Sequence, residues 1–462
     1  MTALGVFLTV LFCLSVFILP RSLAAVALVA SALYITQGQA IQVGLNLTAV
    51  RLVEISVFAR VIIRGELSAI KFNSLDRWIL IFLGSGFVIT SFREGAVDTY
   101  QLGDAADGWI VYFSFRSLIN NPDTYISFLR SLAFALVPFA VVMTYESATG
   151  HDLFAAMGGV PESPILREGH YRCQGSFRVA ITAGTVGATC FSLFIGSLAD
   201  KSHRLWAIIG VGACIMIVYT SHSSGPLTAL GVGAIGWLCW RIRNKMTWVR
   251  RGIVGSLVVL QLLMNNPIWY IFDRLSGILG GDGWHRSNLI DKFVHSYRNW
   301  IVDGMDFLQT ADWAATQLPT GGVDVTDYYI SIGISAGLIA FVMFITLLTV
   351  CFKMVGRAGF LIRTSPNASM NLQLLLWGIG CTICCHVVNL TAVEYWDQSY
   401  VIWYLHLALV GSLAGYIIAN HDAVSSLSLP TSDEGYFQPN GDEGESTLGE
   451  IQNLKECPLG AD

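Results

Sequence analysis

The sequence is poor in charged residues. Only 13% of its 462 residues are Asp, Glu, Lys or Arg, whereas ordinary soluble domains carry about 25%. Hydrophobic residues make up 54% of the chain and form continuous apolar runs of roughly 17 to 25 residues. In a bilayer such a run can satisfy its backbone hydrogen bonds as a helix or in a closed barrel, and these runs lack the alternation of barrel strands. The composition therefore excludes a soluble globular protein and predicts an all-α polytopic transmembrane bundle.

Cysteines are scarce outside the apolar runs. Of ten cysteines, only Cys173 and Cys457 lie in polar segments, and we place these two on opposite sides of the membrane. No structural disulfide is therefore expected. A cysteine cluster at 381–385 resembles a metal motif in its spacing, but it lies inside an apolar run. The loop histidines show neither a His-x-x-x-His nor a Glu-x-x-His pattern, so the sequence predicts no metal and no cofactor.

Polar residues are concentrated in one late stretch, residues 265–329. It interrupts the apolar sequence with charged residues, glycine-rich turns and the tryptophans Trp284, Trp300 and Trp313. Disordered loops are poor in aromatic residues. We therefore predict that this stretch is a folded extramembrane element at the mouth of the helical bundle.

Basic residues predict the orientation of the chain. The densest basic cluster lies at 241–251, and a second basic loop lies at 353–363. The positive-inside rule places both in the cytoplasm, so the loop between them, 265–327, is predicted to be extracytoplasmic. The same count gives a smaller outer loop at 146–178 and about 12–13 spans. We predict a multi-pass protein of the cell (inner) membrane.

The composition divides the chain into two parts. Residues 1–420 form the predicted polytopic membrane domain. Residues 421–462 are rich in Ser, Gly, Pro and acid, with Lys455 as their single basic residue. Such a segment has too little apolar area to join a core. We predict a disordered acidic cytoplasmic tail.

Two groups of arginines are candidates for anion binding. Arg172 and Arg178 flank a glycine at the outer end of a span, and Arg286 and Arg298 lie in the large loop. Guanidinium groups grip phosphate as a planar fork, which suits a diphosphate. Equally, arginines at this depth are explained by anchoring to lipid headgroups.

Other polar and aromatic residues are candidates for sugar binding and proton transfer. Trp284 and Trp300 offer flat faces on which sugar rings stack, and Asp397 lies in an outer turn on the same side. His285 exchanges protons near neutral pH. Asp324 and Asp327 stand where the loop re-enters the membrane, where poor solvation raises a carboxyl pKa toward that of a general base. Asp327 equally fits a helix N-cap, and the two roles are compatible.

Four motifs together resemble the O-antigen ligase/polymerase family. They are the arginine block at 172–177, the Ser-Ser-Gly-Pro turn at 223–226, the Gly-Trp-His-Arg block at 283–286, and residues 324–330 leading to Gly333 and Gly337. They occur in that order and cover roughly residues 50–415. The chain looks most like the exopolysaccharide polymerases of that family.

This resemblance implies a metal-independent inverting glycosyltransferase of the GT-C type. Its donor is a glycan on polyprenyl diphosphate, and its other partners are membrane lipid and other polysaccharide assembly proteins, with no nucleic acid. Arg172 matches the family's first diphosphate arginine, and Arg286 or Arg298 supplies the second. Family ligases carry a His-Asn pair where this chain has Thr326-Asp327, so Asp327 or Asp324 becomes the candidate base.

Three functions compete on sequence alone. A polymerase joins one lipid-linked glycan to another, and a ligase of the O-antigen type moves the glycan to a different acceptor. A transporter of polysaccharide or lipid-linked sugar is the alternative from another class. Transporters place polar groups at mid-membrane on broken, repeat-related helices. Here the polar groups lie mainly in one loop set and no internal repeat is visible, which favours the enzyme.

Overall fold

The structure is a computed structural model that describes residues 1–42, 46–279, 282–314, 318, 321–365 and 369–420. Helix accounts for 76% of the structure and strand for 3%. The mostly helical class predicted from composition is therefore confirmed. The predicted acidic tail, 421–462, lies outside the described residues.

The α-helices are α1 Ala3–Ile18, α2 Arg21–Tyr34, α3 Ala49–Ile63, α4 Ser74–Glu94, α5 Thr99–Leu118, α6 Pro122–Thr149, α7 Ala180–Ser197, α8 Arg204–Ser221, α9 Ser224–Leu238, α10 Met246–Leu263, α11 Ile271–Leu279, α12 Gly283–His295, α13 Tyr297–Trp300, α14 Tyr328–Thr364, α15 Met370–Asn389, α16 Tyr400–Leu409 and α17 Gly415–Ala419. A π-helical turn, Val410–Ala414, joins the last two. The strands form two antiparallel hairpins, β1 Ala40–Gln42 with β2 Asn46–Thr48, and β3 Ile165–Arg167 with β4 His170–Arg172.

Within the described ranges, eight helical stretches are long and apolar enough to cross a membrane. They are Ser74–Glu94, Pro122–Thr149, Ala180–Ser197, Arg204–Ser221, Ser224–Leu263, Tyr328–Thr364, Met370–Asn389 and Tyr400–Ala419. α1 and α2 are apolar but shorter. The stretch Ser224–Leu263 contains both α9 and α10, which are joined by a 3-10 segment with non-helical backbone at Ile242.

The most buried of these helices is α7. Every residue of α7 except Ile181 and Ile195 is buried, and most are Gly, Ala, Ser or Thr. Small residues allow helix backbones to approach closely in a membrane bundle. A Cβ on Gly187 would lie only 2.5 Å from the carbonyl oxygen of Cys214 on α8. The α7–α8 pair is therefore close-packed, and it supports the turn between α8 and α9.

α14 is broken near its start, and the break holds the large loop. Ala336 and Gly337 have non-helical backbone, with Gly337 at φ +71°. A side chain on Gly337 would begin 2.6 Å from the carbonyl oxygen of Val302. The N–H of Leu338 donates to the carbonyl of Ile301 at 3.1 Å. Glycine is thus required where the loop backbone joins the helix.

The segment between α10 and α14 has a hydrophobic core of its own. Its buried members are Leu289, Phe293, Trp300, Met305, Trp313, Val323, Val325, Ile330 and Ile334. The rings of Phe293 and Trp300 stack with centroids 4.0 Å apart. The aromatic residues of this segment therefore pack together and against Ile330 and Ile334 at the start of α14.

Candidate functional site

A cavity of 860 Å³ lies at one end of the bundle. Its wall is built where α7, α9 and α14 begin and where α8 and α15 end, and the β3–β4 hairpin and the start of α12 complete it. Small-molecule sites have volumes of about 300–1,000 Å³. The cavity therefore has the size of a small-molecule site.

Arg172 lines this cavity from the end of β4. Its Nη2 donates to the Ser223 hydroxyl at 2.9 Å, and its buried Nε has no partner among the described residues. Burial, followed by the charge of Arg167, lowers the pKa of Arg172. A guanidinium has five N–H donors, so most of the donors of Arg172 are left for a ligand.

Arg286 faces the same cavity from the first turns of α12. Burial lowers the pKa of Arg286, and the positive charges of Arg167 and Arg172 lower it further. The negative charges of Asp282 and Asp327 act in the opposite direction. No described residue forms a hydrogen bond or an ion pair with its guanidinium. The two arginines therefore converge from distant segments, and an anion between them would relieve their repulsion.

The residues after Arg172 fix its position. The backbone N–H groups of Gln174 and Gly175 donate to the two carboxylate oxygens of Glu146 on α6, at 2.9 and 3.0 Å. Gly175 is at φ +56°, and a Cβ there would lie 2.9 Å from the ring of Phe139. Glycine at this position therefore leaves room for the Phe139 side chain of α6 beside the loop that carries Arg172.

Of the two candidate bases from the loop, Asp324 lines the cavity, whereas Asp327 lies just behind it as the N-cap of α14. Oδ1 of Asp327 accepts from the N–H groups of Tyr329 and Ile330 at 2.9 and 3.2 Å. Burial raises its pKa to about 7 even though these bonds and the charge of Arg286 favour the ionised form. Asp327 therefore caps α14 and also has a pKa raised to about 7.

Glu394 is a carboxylate of the cavity that the sequence did not single out as a site residue. It lies in the turn after α15 and accepts a hydrogen bond from the Ser331 hydroxyl on the first turn of α14. Burial raises its pKa to about 7, and the charges of Asp324, Asp104 and Asp327 add to the shift. An acid directly after an apolar run is the signal that marks this position in the sequence.

Asp397, the residue predicted from that turn, is buried instead. It is 0% exposed, and its Oδ2 accepts from the Thr182 hydroxyl at 2.9 Å while Oδ1 accepts from the N–H of Ser399 at 3.0 Å. It is not among the residues that line the cavity. Asp397 therefore ties the turn to the start of α7, and no sugar reaches it in this structure.

Of the two tryptophans predicted to bind sugar, one lines the cavity and the other is buried in the loop. Trp284 lines the cavity and is 56% exposed. Trp300 lies in the loop core, where its ring stacks on Phe293 and its Nε1 donates to the Phe293 carbonyl at 2.8 Å. Trp396 also lines the cavity, although it is not one of the predicted sugar-binding residues. The guanidinium of Arg178 lies 5.1 Å from the centre of its ring.

The remaining predicted residues are His285, Arg178 and Arg298. His285 lines the cavity, and its Nε2 lies 3.0 Å from the carbonyl oxygen of Asp324. Since a carbonyl only accepts, Nε2 carries a proton in that bond. Arg178 and Arg298 are not among the lining residues, and Arg298 instead packs on Tyr297. Of the four predicted arginines, the cavity therefore brings together Arg172 and Arg286.

The cavity combines three kinds of surface. Val218 and Leu227 give it an apolar side, Arg172 and Arg286 give it positive charge, and Glu394 gives it a carboxyl that titrates near neutral pH. Within the described ranges, no group of three or more His, Cys, Asp or Glu residues is placed to hold a metal ion. Positive charge, an apolar side and a carboxyl with a raised pKa therefore lie in one cavity. Neither the family models nor the curated proteins include a match to this chain.

Proposed function

We propose that this protein is a metal-independent inverting glycosyltransferase that polymerises a surface polysaccharide or exopolysaccharide. Its donor is a glycan on polyprenyl diphosphate, and its acceptor is a sugar hydroxyl of a second glycan. The observation that carries the proposal is the convergence of Arg172 and Arg286 on one partly apolar cavity. Both guanidiniums face it with donors that the described protein does not use.

The proposed donor fits the two sides of the cavity. The diphosphate lies between Arg172 and Arg286, whose planar forks match phosphate oxygens. The polyprenyl chain leaves along the apolar side at Val218 and Leu227. As the bond between the anomeric carbon and the diphosphate oxygen breaks, negative charge grows on the diphosphate and the two guanidiniums stabilise it.

The acceptor is activated by Glu394 in this proposal. The carboxylate takes the proton of the acceptor hydroxyl, and the oxygen attacks the anomeric carbon from the face opposite the diphosphate. A base with a pKa near the working pH is the most effective, and the pKa of Glu394 is raised to about 7. Asp327 accepts two backbone N–H groups as the N-cap of α14, and its charge lies near Arg286, so we assign it the role of capping α14 beside that arginine.

The proposal includes an orientation and a span count. The cavity end, with 265–327 and 146–178, faces outside the cell membrane, and the basic segments face the cytoplasm. In this count Ser224–Leu263 contributes two spans, α9 and α10, and α1, α2, α3 and α5 also cross, which gives thirteen spans, within the predicted 12–13. We expect an impermeant thiol reagent to label a cysteine at exposed Val302 in intact cells and not one at exposed Lys245. Labelling at position 245 and not at position 302 would show that the orientation is the opposite of the one proposed.

The decisive experiment uses the full chain in liposomes with a polyprenyl-diphosphate oligosaccharide. Elongation of the lipid-linked glycan is the expected result. Transfer of the glycan to a different acceptor without elongation would identify a ligase. Movement of the oligosaccharide across the bilayer without any new glycosidic bond would identify a transporter and refute the enzyme.

A further inference from the structure

A second concave surface lies at the end of the bundle opposite the cavity. α9 and α14 begin at the cavity and run to this end, and α15 returns from it. Here the 3-10 segment after α9, the end of α14 and the start of α15 surround a groove of 510 Å³. We propose that this groove binds the headgroup of an anionic phospholipid.

The groove has positive charge without compensating acid. Arg243 and Arg363 line it, and no described carboxylate forms an ion pair with either of them. The sequence contains no Asp or Glu in 201–272 or in 328–393, the segments that supply the walls of the groove. The segments that build the groove therefore offer no carboxylate partner to its arginines.

Arg243 is held in place and still has a hydrogen-bond donor that no described residue uses. Its Nη1 donates to the carbonyl of Trp240 at 3.2 Å, and its guanidinium lies 4.1 Å above the Trp240 ring. The ring of Trp377 packs edge-on against Trp240, with centroids 5.5 Å apart. The Nε of Arg243 is buried and has no partner among the described residues. Little side-chain entropy remains to be lost when this arginine binds an anion.

The groove also offers apolar surface, which favours a lipid over a free phosphate. Phe360 and Met370 line it and are 59% and 53% exposed. Their neighbours Asn244 and Gln373 are amides that hydrogen-bond to headgroup oxygens. A phospholipid places its phosphate against the arginines and its acyl chains against the apolar residues. Basic pockets between membrane helices bind anionic headgroups by this combination of contacts.

The test is native mass spectrometry of the full chain in detergent, titrated with phosphatidylglycerol or with phosphatidylcholine. We expect a retained phosphatidylglycerol adduct and weaker retention of phosphatidylcholine. The double variant Arg243→Gln, Arg363→Gln should bind phosphatidylglycerol about 30-fold more weakly, since each basic residue near a headgroup contributes about 1 kcal/mol. Arg250→Gln is the matched control, because Arg250 belongs to the same basic cluster but does not line the groove.

Several outcomes would overturn the proposal. Equal retention of the two lipids would show that the groove does not recognise charge, and equal binding by the double variant would place the lipid elsewhere. Displacement of phosphatidylglycerol by millimolar inorganic phosphate would point to free phosphate as the ligand. If the double variant does not fold, Arg363→Gln alone gives the same comparison, because Arg363 is exposed at the end of α14.

Discussion

Two arginines of this protein, Arg116 and Arg172, are placed in opposite ways. Arg116 on α5 is 4% exposed and uses its donors within the bundle. Its Nε and Nη2 donate to the two oxygens of Asp76, Nη2 also donates to the carbonyl of Lys71, and Nη1 donates to the Ser412 hydroxyl. Tyr112 completes the network by donating to Asp76 at 2.7 Å.

Arg172, in contrast, makes one hydrogen bond to the described protein and leaves its buried Nε without a partner. A buried guanidinium that makes four hydrogen bonds inside the protein holds helices together, whereas one that makes a single hydrogen bond has donors left for a ligand. The same contrast separates Asp397, whose oxygens are bonded inside the protein, from Glu394, which faces the cavity. In these two pairs, residues of the same type differ in where they bond: Arg116 and Asp397 bond inside the bundle, whereas Arg172 and Glu394 line the cavity.

The largest expected effect comes from Glu394→Gln, which keeps the shape of the side chain and removes the base. General base catalysis contributes about 10²- to 10⁴-fold, so polymer formation should fall by that factor. The pH profile gives a second readout. A base must be ionised, and a carboxyl with its pKa raised to about 7 is increasingly protonated below that pH. If Glu394 is the base of the proposed reaction, the rate of the unmodified protein should fall about tenfold per pH unit below 7.

Glu168→Gln is the control for this change, because Glu168 lines the cavity at its exposed rim. Its activity should match that of the unmodified protein. A Glu394→Gln variant that makes polymer at the normal rate, with the normal pH profile, would remove Glu394 from the mechanism.

Arg116→Gln should affect stability and spare catalysis. It leaves Asp76 buried without its cation, and breaking a buried ion pair costs about 3–5 kcal/mol of the free energy of unfolding. We expect a lower melting temperature in detergent, while the rate per folded molecule stays near normal. An unchanged melting temperature would show that the network around Asp76 does not hold the bundle together.

Arg172→Lys should lower the rate and spare stability, the reverse of what we expect for Arg116→Gln. Lysine keeps the charge but loses the planar fork, so transition-state stabilisation should fall by about 2–4 kcal/mol, or roughly 30- to 1,000-fold in rate. Melting temperature should hardly change. Arg250→Lys at the other end of the bundle should leave the rate unaltered. The measurement is polymer formed per unit of membrane-inserted protein, and a normal rate for Arg172→Lys would mean that Arg172 anchors lipid.

The smallest expected effect is from deleting all residues after His421. The deleted sequence is acidic and poor in apolar residues, so it has little area to bury against a core. We expect normal protein levels and nearly normal polymer. Lost polymer at a normal protein level would assign the tail a regulatory role.

The sequence predicts the class of fold because hydrophobic runs report helices in a membrane directly. The apolar runs at 227–240 and 252–270 predict two helices, and the structure has α9 and α10 there. Hydrophobicity does not reveal that the basic connection between them is a 3-10 segment with non-helical backbone at Ile242, because local backbone geometry decides how a polar stretch is folded.

The candidate site is only partly predictable for a related reason. Charges are rare in this chain, so Arg172 and Arg286 stand out in the sequence by themselves. Trp300 and Arg298 carry the same chemical signals, yet packing within the loop places Trp300 in a core and Arg298 against Tyr297. Which polar groups the fold satisfies internally depends on contacts between distant segments, and local sequence does not specify these contacts.

The break at Gly337 has a consequence for local opening. The N–H of Leu338 donates to the carbonyl of Ile301 in the loop, and the N–H of Met305 donates to the carbonyl of Ile334 in α14. Exchange of the Leu338 amide with solvent therefore requires the loop to leave the helix and does not require α14 to unfold. This amide reports the free energy of loop opening separately from that of the bundle.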